Sequence, residues 1–433
     1  MPKPKGLSDF FAPHKIVKKL TNHTNRFVEK PTEKIYNKNN TIKAGRKMTR
    51  FVYADNAATT PVLPEVIESM QPFFKNIWGN PSSLYSKGRE ASKALNEARE
   101  KIADLLGAGK PNEIYFTSCG SESDNWAIKG FAHANSDKGK HIITSKFEHH
   151  AVMNIMKSLE KEGFEVTYLD LDESGLLTAD SVKSAIREDT ILVAIMYANN
   201  EIGTILPIKE IAEAAHEKKI AVFTDAVQAV GHIPVDVKDL GVDMLSFSGH
   251  KFNAPKGIGG LYIRNGVKIG SYIDGGGQER GKRGGTENLP YIVGMAKALE
   301  IAVSKLDDNK RIEAMRDRLF AAIDGIPDSR INGDRVKRLP GNVNAAFKYI
   351  EGESMLLLLD LAGICVSTGS ACSSTSLEPS HVLLSIGLPV ENAHGSLRIS
   401  LSHENTDEDV DYIIEKLPGI VQRLRDMSPI YIK

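Results

Sequence analysis

Hydrophobic and polar positions follow two different periods along this chain from about residue 51 onward. In residues 89–106, Ala91, Ala94, Leu95, Ala98, Ile102 and Leu105 recur at helical spacing and predict a single apolar stripe. Short β-rich runs come next: EIYF (113–116), HIIT (141–144), EVTYL (165–169), ILVAIMY (191–197), IAVFT (220–224), DMLSFS (243–248) and GGLYI (259–263). Helical segments beginning near Ser121 and His149, and another over 208–218, lie between them. Apolar strands separated by amphipathic helices predict an α/β fold with a mostly parallel sheet covered on both faces. Right-handed crossovers then gather the loops after the strand C-termini on one edge, where ligands bind in open α/β folds. A long helix is predicted over roughly 290–325. Residues 330–433 read as shorter strands and helices of a smaller α+β unit.

Composition narrows the class. The 433 residues are 41% hydrophobic and 25% charged, as in ordinary globular proteins. No stretch approaches the ~18 consecutive apolar residues of a membrane span. Net charge is zero, with 55 basic and 55 acidic residues, and gives no argument for a nucleic-acid partner. The balance is uneven, however. Residues 1–50 hold 13 Lys/Arg against 3 Asp/Glu, so this arm carries +10 and the rest of the chain −10. Rich in Lys and Asn and poor in apolar residues, the arm reads as a disordered extension over 1–49; a polyanion-binding tail is the competing reading. It lacks the apolar stretch of a secretory signal, and Ser8 is its only serine, unlike a typical transit peptide. The three cysteines, Cys119, Cys365 and Cys372, are too few and too scattered for a disulfide framework or a structural zinc site. A reduced, cytoplasmic setting is expected.

Four segments could carry chemistry. In SFSGHKFNAPKGIGG (246–260), Lys251 follows a strand end, where a desolvated amine can act as a nucleophile towards a carbonyl. A lone lysine there would more often be a solvated charge. In TDAVQ (224–228), Asp225 could hold a protonated ring nitrogen or merely cap a helix. In FTSCGSESDN (116–125), a strand enters a small-residue turn and then a helix whose N–H groups could hold a phosphate, although Ser121, Glu122 and Asp124 also look like simple caps. In KFEHHAV (146–152), His149 could stack on a planar group or shuttle a proton, or be a plain core histidine. Adjacent His149 and His150 point to different faces, so no metal site is expected.

In order and spacing these segments resemble the cysteine desulfurases of the class-V aminotransferase family, in the branch serving iron–sulfur cluster and nitrogenase assembly. The resemblance runs from about Tyr53 to the C-terminus. It also includes YADNAATTP (53–61), GNPSSLYSKG (79–88), ANNEIG (198–203), GGGQERGKRGGTEN (275–288) and STGSACSSTSLEPSHVL (367–383). It implies the fold type I of enzymes dependent on pyridoxal 5'-phosphate. The large cofactor domain would span 60–305, and a small domain 50–59 with 306–433. By resemblance Lys251 forms the Schiff base, Asp225 holds the pyridine nitrogen, Gln228 the ring hydroxyl, and His149 stacks on the ring. Gly120, Ser121, Ser248 and His250 would surround the phosphate. Thr286 would reach it from the other subunit, implying a homodimer. Asn200 would touch the cofactor and, with Arg398, hold the substrate carboxylate.

Cys372 separates this reading from a plain aminotransferase. In the resembled family this thiolate takes sulfur from L-cysteine, leaving L-alanine and a persulfide for an acceptor such as an iron–sulfur scaffold protein. The LEPSHVL run after it matches the branch with the long catalytic loop. Selenocysteine lyase and a catalytically silent scaffold are the other readings weighed. Cys365 reads as a buried thiol, and Cys119 as a residue of the phosphate turn that does not react. Ser402 and His403 depart from the Gly-Arg common in relatives. Met48 opens MTRFVYADNAATTP close to where relatives begin, so residues 1–47 are expected to be dispensable for catalysis.

Overall fold

A computed structural model describes residues 50–368, 378–429 and 431. The basic arm therefore lies outside the described residues, and Phe51 opens the compact unit considered below. Its largest sheet has seven strands: β2 (Ile114–Thr117), β3 (His141–Ser145), β4 (Glu165–Leu169), β5 (Thr190–Ala194), β6 (Ala221–Asp225), β7 (Met244–Ser248) and β8 (Gly259–Ile263), in the order β2-β8-β7-β6-β5-β3-β4. The pairs β3–β4, β3–β5, β5–β6 and β6–β7 are parallel. Only β8 runs against its neighbours β2 and β7.

Burial explains why these runs carry little polar alternation. Every residue of β2, β3, β5, β7 and β8 is buried, because helices cover both faces. Successive residues enter opposite cores, as the two-residue period of a strand requires. Tyr115, Ile142, Leu192, Phe223 and Met244 pack with the helices Gly120–Ala134 and His150–Lys161. Phe116, Ile143, Val193, Val222 and Leu245 pack on the other face with the helices Ser86–Leu105 and Leu289–Ser304.

A separate core unites Val52 and Ala54 with residues between Ile312 and Val421. It surrounds the antiparallel strands β12-β10-β9, where β9 is Ser329–Ile331, β10 Asn342–Phe347 and β12 Ser396–Ser400. A short parallel pair, β1 (Val52–Tyr53) with β11 (Ile364–Cys365), joins the same core through Val52 and Ile364. The strand Ile191–Tyr197 expected from the sequence ends at Ala194. Beyond it, Ile195 and Tyr197 still donate to Phe223 and Asp225 carbonyls, but the chain is already turning towards the site. The single long helix expected over 290–325 is two helices, Leu289–Ser304 and Asn309–Asp324, joined by a tight turn at Leu306–Asp308. The first packs on the large sheet's core and the second on the smaller one, and a straight rod could not do both.

Two glycines at the start of β8 set a close approach. A Cβ at Gly260 would lie 2.1 Å from Phe247 Cζ. One at Gly259 would lie 2.6 Å from the backbone carbon of Cys119, in the turn that opens the helix Gly120–Ala134. Gly259→Ala is therefore expected to destabilise the protein by about 1–3 kcal/mol, because a backbone segment rather than a flexible side chain must give way. Gly419→Ala, inside the helix Asp407–Met427 with nothing within 4 Å of its Cβ position, should stabilise by about 0.5–1 kcal/mol. Thermal unfolding of the two variants checks both signs; a stable Gly259→Ala would contradict the packing described.

Candidate active site

The loops that leave β2, β3, β5, β6 and β7 converge on a cavity of about 340 Å³. Cys119, Gly120 and Ser121 line it after β2, His149 after β3, Asn200 after β5, and Asp225 with Gln228 after β6. Ser248, His250 and Lys251 enter from β7, and Arg398 from β12. Of the twelve residues singled out in the sequence, ten meet in this one space. Thr286 is exposed and does not line it. Cys372 lies outside the described residues.

Lys251 closes a tight turn, Gly249–Lys251, directly after β7. Its Nζ donates to the Ala57 carbonyl at 2.6 Å and the Ala58 carbonyl at 3.0 Å. The Ala57 carbonyl also accepts Gln228 Nε2 at 3.0 Å. His250 Nδ1 lies 3.1 Å from Thr59 Oγ1, and the His250 carbonyl accepts Thr60 Oγ1 at 2.9 Å. One strap, Asp55–Thr60, turning at residues 56–58, thus fastens three site residues through main-chain and hydroxyl groups. Its carbonyls have no side-chain signature, so sequence reasoning assigned them no role; the quoted run YADNAATTP was the only available pointer.

Asp225 ends β6 and is buried, with Oδ1 accepting the Val227 N–H at 2.9 Å. No helix follows it, so it caps a turn rather than a helix. Burial pushes its carboxyl up to about 6, against the pull of the Val227 N–H and the Lys251 charge. Two more buried acids sit nearby in charge terms. Asp124 accepts Ser246 Oγ at 2.6 Å and is held well above the usual carboxylate range by burial and by Asp225. Glu148 takes Ser145 Oγ at 2.5 Å and the Met196 N–H at 3.1 Å, yet burial still pushes it up to about 8. Both lie where small polar partners, not periodicity, make burial possible, and sequence reasoning gave neither a place at the site.

His149 caps the helix His150–Lys161 with its ring: Nδ1 accepts the Ala151 N–H at 3.1 Å. That bond places the proton of the neutral ring on Nε2. Burial, then the charges of Lys251, His150 and His381, lower its pKa to about 4. Burial and Lys251 likewise lower His250 to about 4. Both imidazoles are neutral at pH 7.

Arg398 is 2% exposed. Its Nη2 pairs with Asp55 Oδ1 at 2.9 Å, and Nη1 donates to the Asn200 carbonyl at 2.9 Å. Arg398 Nε and Asn200 Oδ1 are both buried without a hydrogen-bond partner. Two orphaned polar atoms on residues of the same cavity wall call for a polar ligand.

The residues fit pyridoxal phosphate on these observations. The helix Gly120–Ala134 begins at Cys119 without a side-chain cap, so its first N–H groups are not taken by a capping side chain. Gly120 itself has no room for a side chain, since a Cβ would lie 2.7 Å from Val227 Cγ2. A buried acid, a neutral histidine and a lysine amine share the same walls. Cys119 lines the cavity, while Cys365 belongs to β11, where burial raises its pKa.

The Aminotransferase class-V family model matches residues 52–413. A relative named cysteine desulfurase IscS from Methanosarcina thermophila is 58% identical over 88% of this chain and 94% of its own length. One of the same name from Clostridium botulinum (strain Hall) is 57% identical over 89% and 98%. Among solved structures, a NifS-like protein superposes with a TM-score of 0.82 at 42% identity, over 86% of this chain and all of the other. A structure described as SspA in complex with cysteine gives 0.71 at 40% identity, over 81% and 98%. The alignment of the whole folded unit, together with the cavity's lysine, acid and arginine, means that the chain belongs to the cysteine desulfurases of the class-V aminotransferase family.

Proposed function

We propose that this chain converts L-cysteine to L-alanine and passes the sulfur, through a persulfide on Cys372, to acceptor proteins for iron–sulfur cluster assembly or another thiolation. The observation that carries this reading is the single cavity in which Lys251, Asp225, His149, Asn200 and Arg398 meet. Pyridoxal phosphate, when bound, supplies a conjugated ring that accepts the electron pair released at the substrate carbon. Asp225 would hold the ring nitrogen, Gln228 the ring hydroxyl and His149 the ring face. Gly120, Ser121, Ser248 and His250 would hold the phosphate, and Asn200 would also touch the ring.

The chain's own groups then have distinct tasks. Arg398, with its unpartnered Nε, and Asn200, with its unpartnered Oδ1, orient the substrate carboxylate and amine. Lys251 Nζ, drawn in by the Ala57 and Ala58 carbonyls, moves a proton at the substrate α-carbon. Neutral His149 presents an Nε2 proton that can be exchanged within the cavity. The Cys372 thiolate attacks the substrate sulfur: the S–S bond forms, the Cβ–S bond breaks, and Cβ takes a proton to complete the alanine methyl group. Atoms balance, since cysteine and a thiol become alanine and a persulfide.

Two finer assignments belong to the same proposal. The division into a large domain, 60–305, and a small domain, 50–59 with 306–433, is supported by the separate core that joins Val52 and Ala54 to residues beyond Ile312. A homodimer agrees with Thr286 being exposed and outside its own chain's cavity, as a residue that serves a second copy's phosphate would be. No described helix is long and apolar enough to cross a membrane. A cytoplasmic setting suits the proposed sulfur chemistry, because reducing partners are needed to release the persulfide.

Lys251→Ala is expected to lower alanine formation by at least about 10²–10⁴-fold, the range for losing a positioned proton-transfer group, while leaving the protein folded. Retained turnover would defeat the assignment. Cys372→Ser should still bind cysteine and perturb the cofactor's absorbance, yet form little alanine and no protein persulfide. Cys119→Ser and Cys365→Ser should keep most activity. Alanine quantification with mass-spectrometric mapping of persulfide checks all three; normal alanine yield with the modification on Cys119 in Cys372→Ser would reverse the roles.

A further inference from the structure

We infer that Asp55 is a positioning residue that sets Arg398 to receive the substrate carboxylate, and that Ser367 keeps this ion pair one-armed so that the arginine still has donors to give. The inference rests on the reading of Arg398 given under the proposed function. It adds a residue to which the sequence assigned no role.

Asp55 follows β1 on the strap that crosses the site. Its backbone is pinned independently of its side chain: its carbonyl accepts the Ala58 N–H at 3.0 Å, and it bridges to Ser400, the last residue of Arg398's own strand. The carboxylate is therefore a fixed point, not a mobile surface group. Its two oxygens are divided between two partners. Oδ1 accepts Arg398 Nη2 at 2.9 Å, whereas Oδ2 accepts Ser367 Oγ at 2.8 Å. Ser367 is itself 7% exposed and locked to Arg398 by reciprocal backbone bonds of 2.6 and 3.1 Å.

This division matters because a carboxylate and a guanidinium ordinarily prefer two parallel hydrogen bonds. A two-armed pair through Nη2 and Nε would use the donors that a ligand carboxylate needs. Here the second oxygen is engaged by Ser367, and Arg398 Nε is left buried and without a partner. The other end of the fork is fixed by the Asn200 carbonyl at 2.9 Å. The guanidinium is thus held at both ends, charge-compensated by one anion, and incomplete at Nε. Without Asp55 a cation 2% exposed would lose its hydrogen-bonded carboxylate and one of its two anchors, a costly change for a buried group.

The test titrates holoenzyme with L-cysteine and with cysteamine, which carries the same amine and thiol but no carboxylate, following the cofactor's absorbance. Asp55→Ala should weaken cysteine about tenfold, the worth of roughly one charge-assisted hydrogen bond, and cysteamine by less than about twofold. The rise should appear in KM, with kcat at saturating cysteine little changed. Asp55→Asn should rescue most of the loss, since its oxygen can accept from Arg398 while its amide donates to Ser367 Oγ. Equal weakening of both ligands would mark a merely structural role and overturn the inference. So would unchanged cysteine affinity in Asp55→Ala beside a clear loss in Arg398→Ala. If Arg398→Ala itself binds cysteine normally, the carboxylate reading fails and this inference fails with it.

Discussion

The site depends on how the Lys251 amine is held between two backbone carbonyls. Ala57 and Ala58 belong to a strap that starts beside β11, passes β12 and runs over the carboxyl edge of the large sheet. They hold Nζ at 2.6 and 3.0 Å. Oriented main-chain dipoles can hold a cation close to a buried acid without quenching it in a tight ion pair. The same strap anchors Gln228 and His250, and its first residue, Asp55, anchors Arg398. Residues from both hydrophobic cores are thereby brought to one reaction space.

Around that lysine the charge balance is built from burial. Three buried acids, Asp124, Glu148 and Asp225, are all pushed upward, and two histidines, His149 and His250, are pushed down to about 4. Desolvation is the largest cause in each case, so the cavity favours neutral forms of its lining groups. A planar cofactor with a basic ring nitrogen would give Asp225 a positive partner in addition to the Lys251 charge. The helix Gly120–Ala134 offers N–H groups to the opposite, anionic end of such a molecule. Gly259 of β8 lets this helix start lie directly against β8, and Gly260 makes room for the Phe247 ring of β7.

Much of this was legible before any coordinates. The strands EVTYL and GGLYI appear with the boundaries expected, although EVTYL is a largely half-exposed edge strand and only GGLYI, antiparallel to both neighbours, is fully buried. Lys251, Asp225 and His149 were found because each follows such a run at its C-terminal end, where this fold places its ligands. The break at Leu306–Asp308 was not legible: both flanking segments are helical, and what separates them is their attachment to different cores. The strap was missed for another reason. Its contribution is made by carbonyls of two alanines, which no residue-type pattern reports. Asp55 lay within a recognised motif, but its partners, Arg398 and Ser367, are more than 300 residues away in sequence. The segment 369–377, which contains Cys372, lies outside the described residues, so the thiol's part in the chemistry rests on its sequence context and the family.

The central claim is that the cavity removes sulfur from cysteine onto a thiol of this chain. A single-turnover experiment tests it most directly: holoenzyme is mixed with excess L-cysteine in the absence of reductant, and alanine, persulfide and keto-acid products are measured together. The account predicts a burst of alanine equal to the number of active sites, matched by one persulfide per chain, and then a stall. Formation of a keto acid with conversion of the cofactor to its amine form, or alanine released without any protein persulfide, would contradict it.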